Sequence, residues 1–247
     1  MYRQRPSRLD GAVVWTRTLH EHGHDGPAHP VLPDGCMDLL WNGERLLVAG
    51  PDTAAHTPDG GAGTLWAGLR FPPGAAPAFF GVPAHELRDK RVELADLWGA
   101  ATARGLAGRV GDAAGPAAGL EAVALARAAQ APPPDPLLAR VAGHLGAGGT
   151  VAAAAEAAGL GARQLHRRSL DAFGYGPKTL ARILRLQRAL TLVRAGVPYA
   201  EAALAAGCAD QAHLAREMRS LTGTTLSSYA ASAKRETPMP SGSSTTA

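Results

Sequence analysis

The sequence predicts an α+β protein: a front part of short strands, then an all-α rear part in which two helix-turn-helix units flank one long helix. Three observations carry this expectation. Short apolar runs separated by turn residues fill the first third of the chain. A short Ala-rich pattern ending in a helix-breaking glycine occurs twice, with Gly159 and Gly207 lying 48 positions apart. Between the copies, Pro177–Ala195 places Leu180, Ile183, Leu184, Leu190 and Val193 close to a 3.6-residue period.

Residues 1–92 read as a small barrel or sandwich. Val13–Thr16, Met37–Trp41, Leu46–Val48, Leu65–Phe71 and Ala78–Phe80 are short apolar or alternating runs. Pro33-Asp34-Gly35, Asn42-Gly43, Pro51-Asp52 and Pro58-Asp59-Gly60-Gly61 separate them with turn residues. Asn42-Gly43 in particular predicts a hairpin. Residues 93–135 turn helical. Leu94, Leu97, Trp98, Leu106 and Val110 form one amphipathic stretch, and Leu120, Val123, Leu125 and Ala128 another. Such helices can pack on the strands of their own domain or against a second copy of the chain. Pro132–Pro136 reads as a stiff hinge. Residues 136–232 hold the repeats, and residues 233–247, rich in Ser, Thr and Pro, read as a disordered tail.

Each repeat has the physical requirements of a helix-turn-helix. Helices cross closely only over small side chains, here Ala155 with Ala158 and Ala203 with Ala206. The turn needs a residue that accepts positive φ, which glycine does without steric cost. The charge is segregated as well. Residues 1–135 hold 12 Lys/Arg against 15 Asp/Glu, whereas residues 136–235 hold 13 against 5. A basic module behind a mildly acidic one suits nucleic acid at one end only.

The phrases Gly174-Tyr-Gly-Pro-Lys-Thr-Leu-Ala-Arg-Ile-Leu-Arg-Leu-Gln-Arg-Ala-Leu190, Ala206-Gly-Cys-Ala-Asp-Gln-Ala-His-Leu-Ala-Arg216 and Leu221-Thr-Gly-Thr-Thr-Leu-Ser-Ser-Tyr229 make residues 136–232 resemble the DNA-binding domain of AraC/XylS-type transcription regulators. In front, Leu32-Pro-Asp-Gly-Cys-Met-Asp-Leu39, Val48-Ala-Gly-Pro51, Gly68-Leu-Arg-Phe-Pro-Pro-Gly74 and Phe80-Gly-Val-Pro-Ala-His-Glu-Leu87 resemble the N-terminal domain of many actinobacterial members. The resemblance implies a cupin-like effector or dimerisation domain joined to two recognition helices. It implies double-stranded promoter DNA as partner, with an unidentified small-molecule effector, RNA polymerase and a second copy of the chain as further candidates.

Matched to the family pattern, Arg163, His166 and Arg167 are the base-reading positions of the first unit, spaced so that one helix face presents all three. Arg167 suits guanine O6 and N7. In the second unit Asp210 is a natural N-cap, and Gln211, Ala212 and Arg216 fall on the outward face. Gln211 suits adenine, Ala212 a thymine methyl and Arg216 guanine or backbone. Arg168, Lys178, Arg182 and Arg219 are expected phosphate contacts, and Arg185, Arg188 and Arg194 phosphate or solvent contacts. Ser169 departs from the family, which usually has a bulky apolar side chain there.

Two rival chemistries compete with this reading. His20, His22 and His24 would share one face of an extended strand, a geometry that can hold zinc, copper or nickel, so a metal-responsive regulator is the alternative. No tight ligand pair anchors this cluster, and Glu21-His-Gly-His-Asp-Gly-Pro otherwise reads as a solvated loop. A cupin-type metalloenzyme fused to the DNA-binding module is more distant still. No convincing His-x-His plus carboxylate set, nucleophile elbow, phosphate loop or catalytic acid pair is present, so neither enzyme activity nor a cofactor is expected. Cys36 and Cys208 show no metal-type pairing and read as small buried residues. With no apolar run of about 18 residues and no signal-peptide core at the start, the expected setting is the cytoplasm and its nucleoid.

Overall fold

A computed structural model describes residues 2–18, 30–57 and 63–233. The front part is one antiparallel sheet of six strands. They are β1 (Tyr2–Pro6), β2 (Val13–Thr18), β3 (Met37–Trp41), β4 (Leu46–Ala49), β5 (Leu65–Phe71) and β6 (Arg91–Glu93), ordered β1-β2-β5-β3-β4-β6. The hairpin at Asn42-Gly43 forms, with Trp41 opposite Leu46. The Asn42 carboxamide oxygen closes its loop by accepting from the Glu44 and Arg45 amides. Ala78–Phe80 is not a strand. It belongs to a short helix, α1 (Ala76–Phe80), that begins beyond Pro72-Pro73-Gly74 with Pro77 in its first turn and ends at Gly81.

Period-2 alternation gives the sheet two different faces. Val14, Leu39, Val48, Leu69 and Phe71 point to one side, where α1, α2 (Leu94–Trp98), α3 (Ala100–Gly111) and α4 (Pro116–Ala128) cover them. Leu94, Val110, Leu120, Val123 and Ala124 from these helices are buried in that core. On the other face Arg70 pairs with Asp34 at 3.3 Å and Asp38 at 3.2 Å, and the Trp15 indole N–H donates to Asp38 at 3.0 Å. Burial pushes the Asp34 carboxyl up, with Arg70 pulling against it. The edge strand β1 is tied to α4 through Glu121. Its carboxylate accepts from the Arg5 guanidinium, the Ser7 hydroxyl and the Arg8 amide. The hydrogen bond from Arg5 leads in holding that carboxyl down at about 2.

The rear part is helical throughout: α5 (Pro136–Gly146), α6 (Val151–Ala157), α7 (Ala162–Phe173), α8 (Pro177–Arg194), α9 (Tyr199–Ala205), α10 (Gln211–Thr222) and α11 (Leu226–Ala233). Its core gathers around α8, where Leu180, Ile183, Leu186, Ala189 and Leu190 are fully buried. Leu32 of the front part is buried in this same core. The histidines at 20, 22, 24 and 29 and residues 234–247 lie outside the described residues.

Candidate nucleic-acid interface

Helices α6 and α7 form the first unit, and α9 and α10 the second. Their turns close identically. The Leu160 amide donates to Ala155 O at 2.9 Å and the Cys208 amide to Ala203 O at 2.8 Å, over Gly159 and Gly207 at φ 62° and 81°. The small-residue crossing is tight in the second unit, where Ala202, Ala203 and Ala206 are fully buried. In the first unit Ala154 is buried, but Ala155 and Ala158 are only half-buried.

Each second helix turns an apolar ridge inward and leaves the opposite face to solvent. On α7, Leu165, Ala172 and Phe173 are buried, while Arg163, His166, Arg167 and Arg168 are exposed. On α10, Leu214, Met218 and Leu221 are buried, while Gln211, Ala212, Arg216 and Arg219 are exposed. The Asp210 carboxylate caps α10 by accepting from the His213 amide at 2.6 Å. A caboxylate there also opposes the positive end of the helix dipole. Helix α7 has glycine at its N-cap, and the Gln164 side chain reaches back to accept from the Gly161 amide at 3.0 Å. Ser169 is fully buried, and its hydroxyl has no hydrogen-bond partner among the described residues.

The arginines of α8 divide by partner. Lys178 is exposed. Arg182 and Arg185 both donate to the buried Glu217 carboxylate, at 3.1–3.2 Å, and Arg182 also reaches the Ser220 hydroxyl. Arg188 donates to Gly146 O, the last carbonyl of α5, and to Ala206 O, in the cap just after α9. Arg194 donates back to Leu190 O at 3.1 Å. Arg185 and Arg188 are therefore internal clasps rather than free phosphate-facing charges. Arg168 lies 3.8 Å from Asp135 across a solvent-exposed gap.

The front part grips the first unit. The end of α7 rests on the turn Ala84–Glu86, with His85 Nδ1 3.4 Å from Asp171 and Arg88 donating to Gly174 O at 3.2 Å. Gly174, at φ 82°, fits so closely that a Cβ would come within 2.5 Å of Pro51. Deeper in, the Gln187 amide donates to Pro33 O at 2.6 Å, a buried bond between α8 and the front loop. The exposed face of α7 stays clear of these contacts.

Cys208, His213 and Glu217 bring a thiol, an imidazole and a carboxylate within 4.8 Å of one another. Both Glu217 oxygens already accept from arginines, whose two positive charges oppose a divalent cation. Burial, with Glu217 adding to it, pushes the Cys208 thiol up. Sequence reading missed Gln187 and Glu217 as fastening residues. Their signal was a polar side chain on an otherwise apolar helix stripe.

Among known proteins, residues 154–232 match a family described as a helix-turn-helix domain. Residues 12–93 match a domain of unknown function, DUF6597. No curated protein sequence matches the chain. Two crystal structures of ToxT from Vibrio cholerae are similar over most of the chain. One, of an apo variant, has 10% identity and TM-score 0.47, covering 91% of this chain and 98% of that one. The other has 7% identity and TM-score 0.45, covering 94% and 98%. Among the described residues no helix is long and apolar enough to cross a membrane. With its paired turns, exposed basic helix faces and matching domain, the chain carries an AraC-type helix-turn-helix domain behind a DUF6597 domain and is a DNA-binding transcription regulator.

Proposed function

We propose that the protein reads a specific promoter sequence through α7 and α10, which enter successive major grooves about one helical turn apart. Arg163, His166 and Arg167 supply base contacts from the first unit, and Gln211, Ala212 and Arg216 from the second. Arg168, Lys178 and Arg219 add phosphate contacts, joined by Arg182 when it leaves Glu217. The observation that supports this reading most is that all six base-reading side chains are exposed on helices whose opposite faces are buried. Residues 1–92 act as the effector or dimerisation unit, 93–135 as connector and 136–232 as the DNA-binding unit. A small molecule acts by favouring one arrangement of these units over another. RNA polymerase and a second copy of the chain are the protein partners, in the cytoplasm at the nucleoid. The chain itself performs no catalysis.

The test is selection of bound duplexes from a random pool, followed by titration of the selected site against scrambled DNA. Arg216→Ala with Gln211→Ala should weaken the selected site by roughly a hundredfold and scrambled DNA far less. Equal losses on both would reduce these residues to backbone contacts. Selection that yields no preferred sequence would overturn the reading.

A further inference from the structure

The corner between α7 and α8, Gly174-Tyr175-Gly176, meets the front part on one side and a base-reading side chain on the other. Gly174 is buried in a socket of the front part, where a Cβ would come 2.5 Å from Pro51 and 3.3 Å from Ala84 O. The walls of that socket are fastened to each other. Gly50 lies so close to Leu87 O that a Cβ there would overlap it. The Asp89 amide donates to Pro51 O at 3.2 Å, and its carboxylate accepts from the Thr53 amide and hydroxyl. Arg88 completes the socket by donating to Gly174 O. Gly176, at φ −67°, is small for a different reason: the His166 imidazole rests on its backbone. A Cβ there would fall 2.7 Å from Cε1 and 2.8 Å from Nδ1, with Nε2 farther off at 3.9 Å. Between the two glycines Tyr175 is buried in the rear core, and the buried Pro177 starts α8, so the corner is held along its whole length.

We infer that His166 is the side chain through which the front part sets base choice, with Gly176 as its rest and Arg88 and Pro51 as positioning residues. This deepens the function proposed above and rests on its reading of His166 as a base contact. An imidazole turns about two side-chain torsions, and its hydrogen bond distinguishes bases only when its direction is fixed. With Cε1 and Nδ1 against the corner, Nε2 is the atom that meets a base edge. Packed protein transmits small displacements instead of absorbing them. A shift of the Pro51 and Ala84 walls therefore moves Gly174, and the held corner carries that shift to Gly176 and the ring. The second unit has no such link. Ala215 and Thr225 stand where the first unit has His166 and Gly176, and Gly223, the counterpart of Gly174, has open space where a Cβ would sit.

The test is a double-mutant cycle on the full chain, read as the base preference at every position of the selected site. His166→Ala should flatten the preference at one position by about fivefold. Arg88→Ala, which frees Gly174 O, and Gly176→Ala, whose Cβ displaces the ring, should each change the preference at that same position by about threefold. Arg88→Lys, which keeps a donor, should recover most of the loss. Neither alanine variant should alter the positions that Gln211→Ala and Arg216→Ala flatten. In the His166→Ala background both should do nothing further. Arg88→Ala acting equally at all positions, or still acting once His166 is gone, would overturn the inference. So would a position flattened by His166→Ala and indifferent to Arg88→Ala, which would leave His166 a base reader independent of the front part. Thermal melting checks that each variant folds, and if Gly176→Ala does not, Arg88→Ala decides alone. A His166→Ala variant that flattens no position would remove His166 from the base readers and take the inference with it.

Discussion

The two helix-turn-helix units share a backbone plan and differ in what fastens them. Arg167 and Arg216 occupy equivalent places on α7 and α10, and so do Leu165 and Leu214, but Ser169 stands where the second unit has Met218. The second unit is self-sufficient. Three fully buried alanines line its crossing, Asp210 caps its recognition helix, and Glu217 draws Arg182 and Arg185 of α8 onto it. The first unit has a looser crossing, a glycine N-cap and a buried unpaired hydroxyl, and it leans instead on the front part through Asp171, Gly174 and Gln187 of the adjoining α8. A unit held by its own side chains is a fixed reader. One held by another domain is a reader that the other domain can adjust.

The largest test of this contrast is Glu217→Ala. It leaves two partly buried arginines without their counterion, and the variant should lose about 3 kcal/mol in chemical denaturation, with hydrogen exchange rising in α9 and α10 first. Loss confined to α7 would invert the comparison. Next is Gln187→Ala, which strands the buried Pro33 carbonyl and should cost about 2 kcal/mol. Here the added exchange should appear in α7 and in the 32–36 loop, with α10 spared. Acid offers a third probe. The Glu121 carboxyl, normally near 4.5, is held at about 2 in the fold, so its contribution is complete above its normal value and disappears as pH falls toward 2. Allowing for a half-exposed Arg5, about 2 kcal/mol of front-part stability should vanish across that window. Exchange in α7 should then rise before exchange in α10, and simultaneous loss would show that the first unit does not depend on the front part. The smallest effect is expected from Ser169→Ala, which removes the unpaired hydroxyl and should stabilise the protein by about 1 kcal/mol in thermal melts.

The repeat and its periodicity made α6 to α10 legible, and short apolar runs between turn residues four of the six strands. Edge strand β1 escaped because Tyr2-Arg-Gln-Arg-Pro6 is mostly exposed and carries no apolar alternation, and β6 because it is three residues long. Ala78–Phe80 misled because a short apolar run has no period of its own, and the prolines before it set a helix start. The outward faces of α7 and α10 were readable from helical spacing together with the family resemblance. The fastening was not. Gln187 and Glu217 each interrupt an apolar stripe, but their partners lie 154 and about 32–35 residues away, and only the fold reveals them. The arginines of α8 look alike in sequence, and their division into clasps and free charges depends on which helix end each meets.

Arg188 has one more implication. A single guanidinium on α8 takes the closing carbonyls of α5 and of the turn after α9, so the helix that precedes the first unit and the leading helix of the second are anchored to the spine at one point.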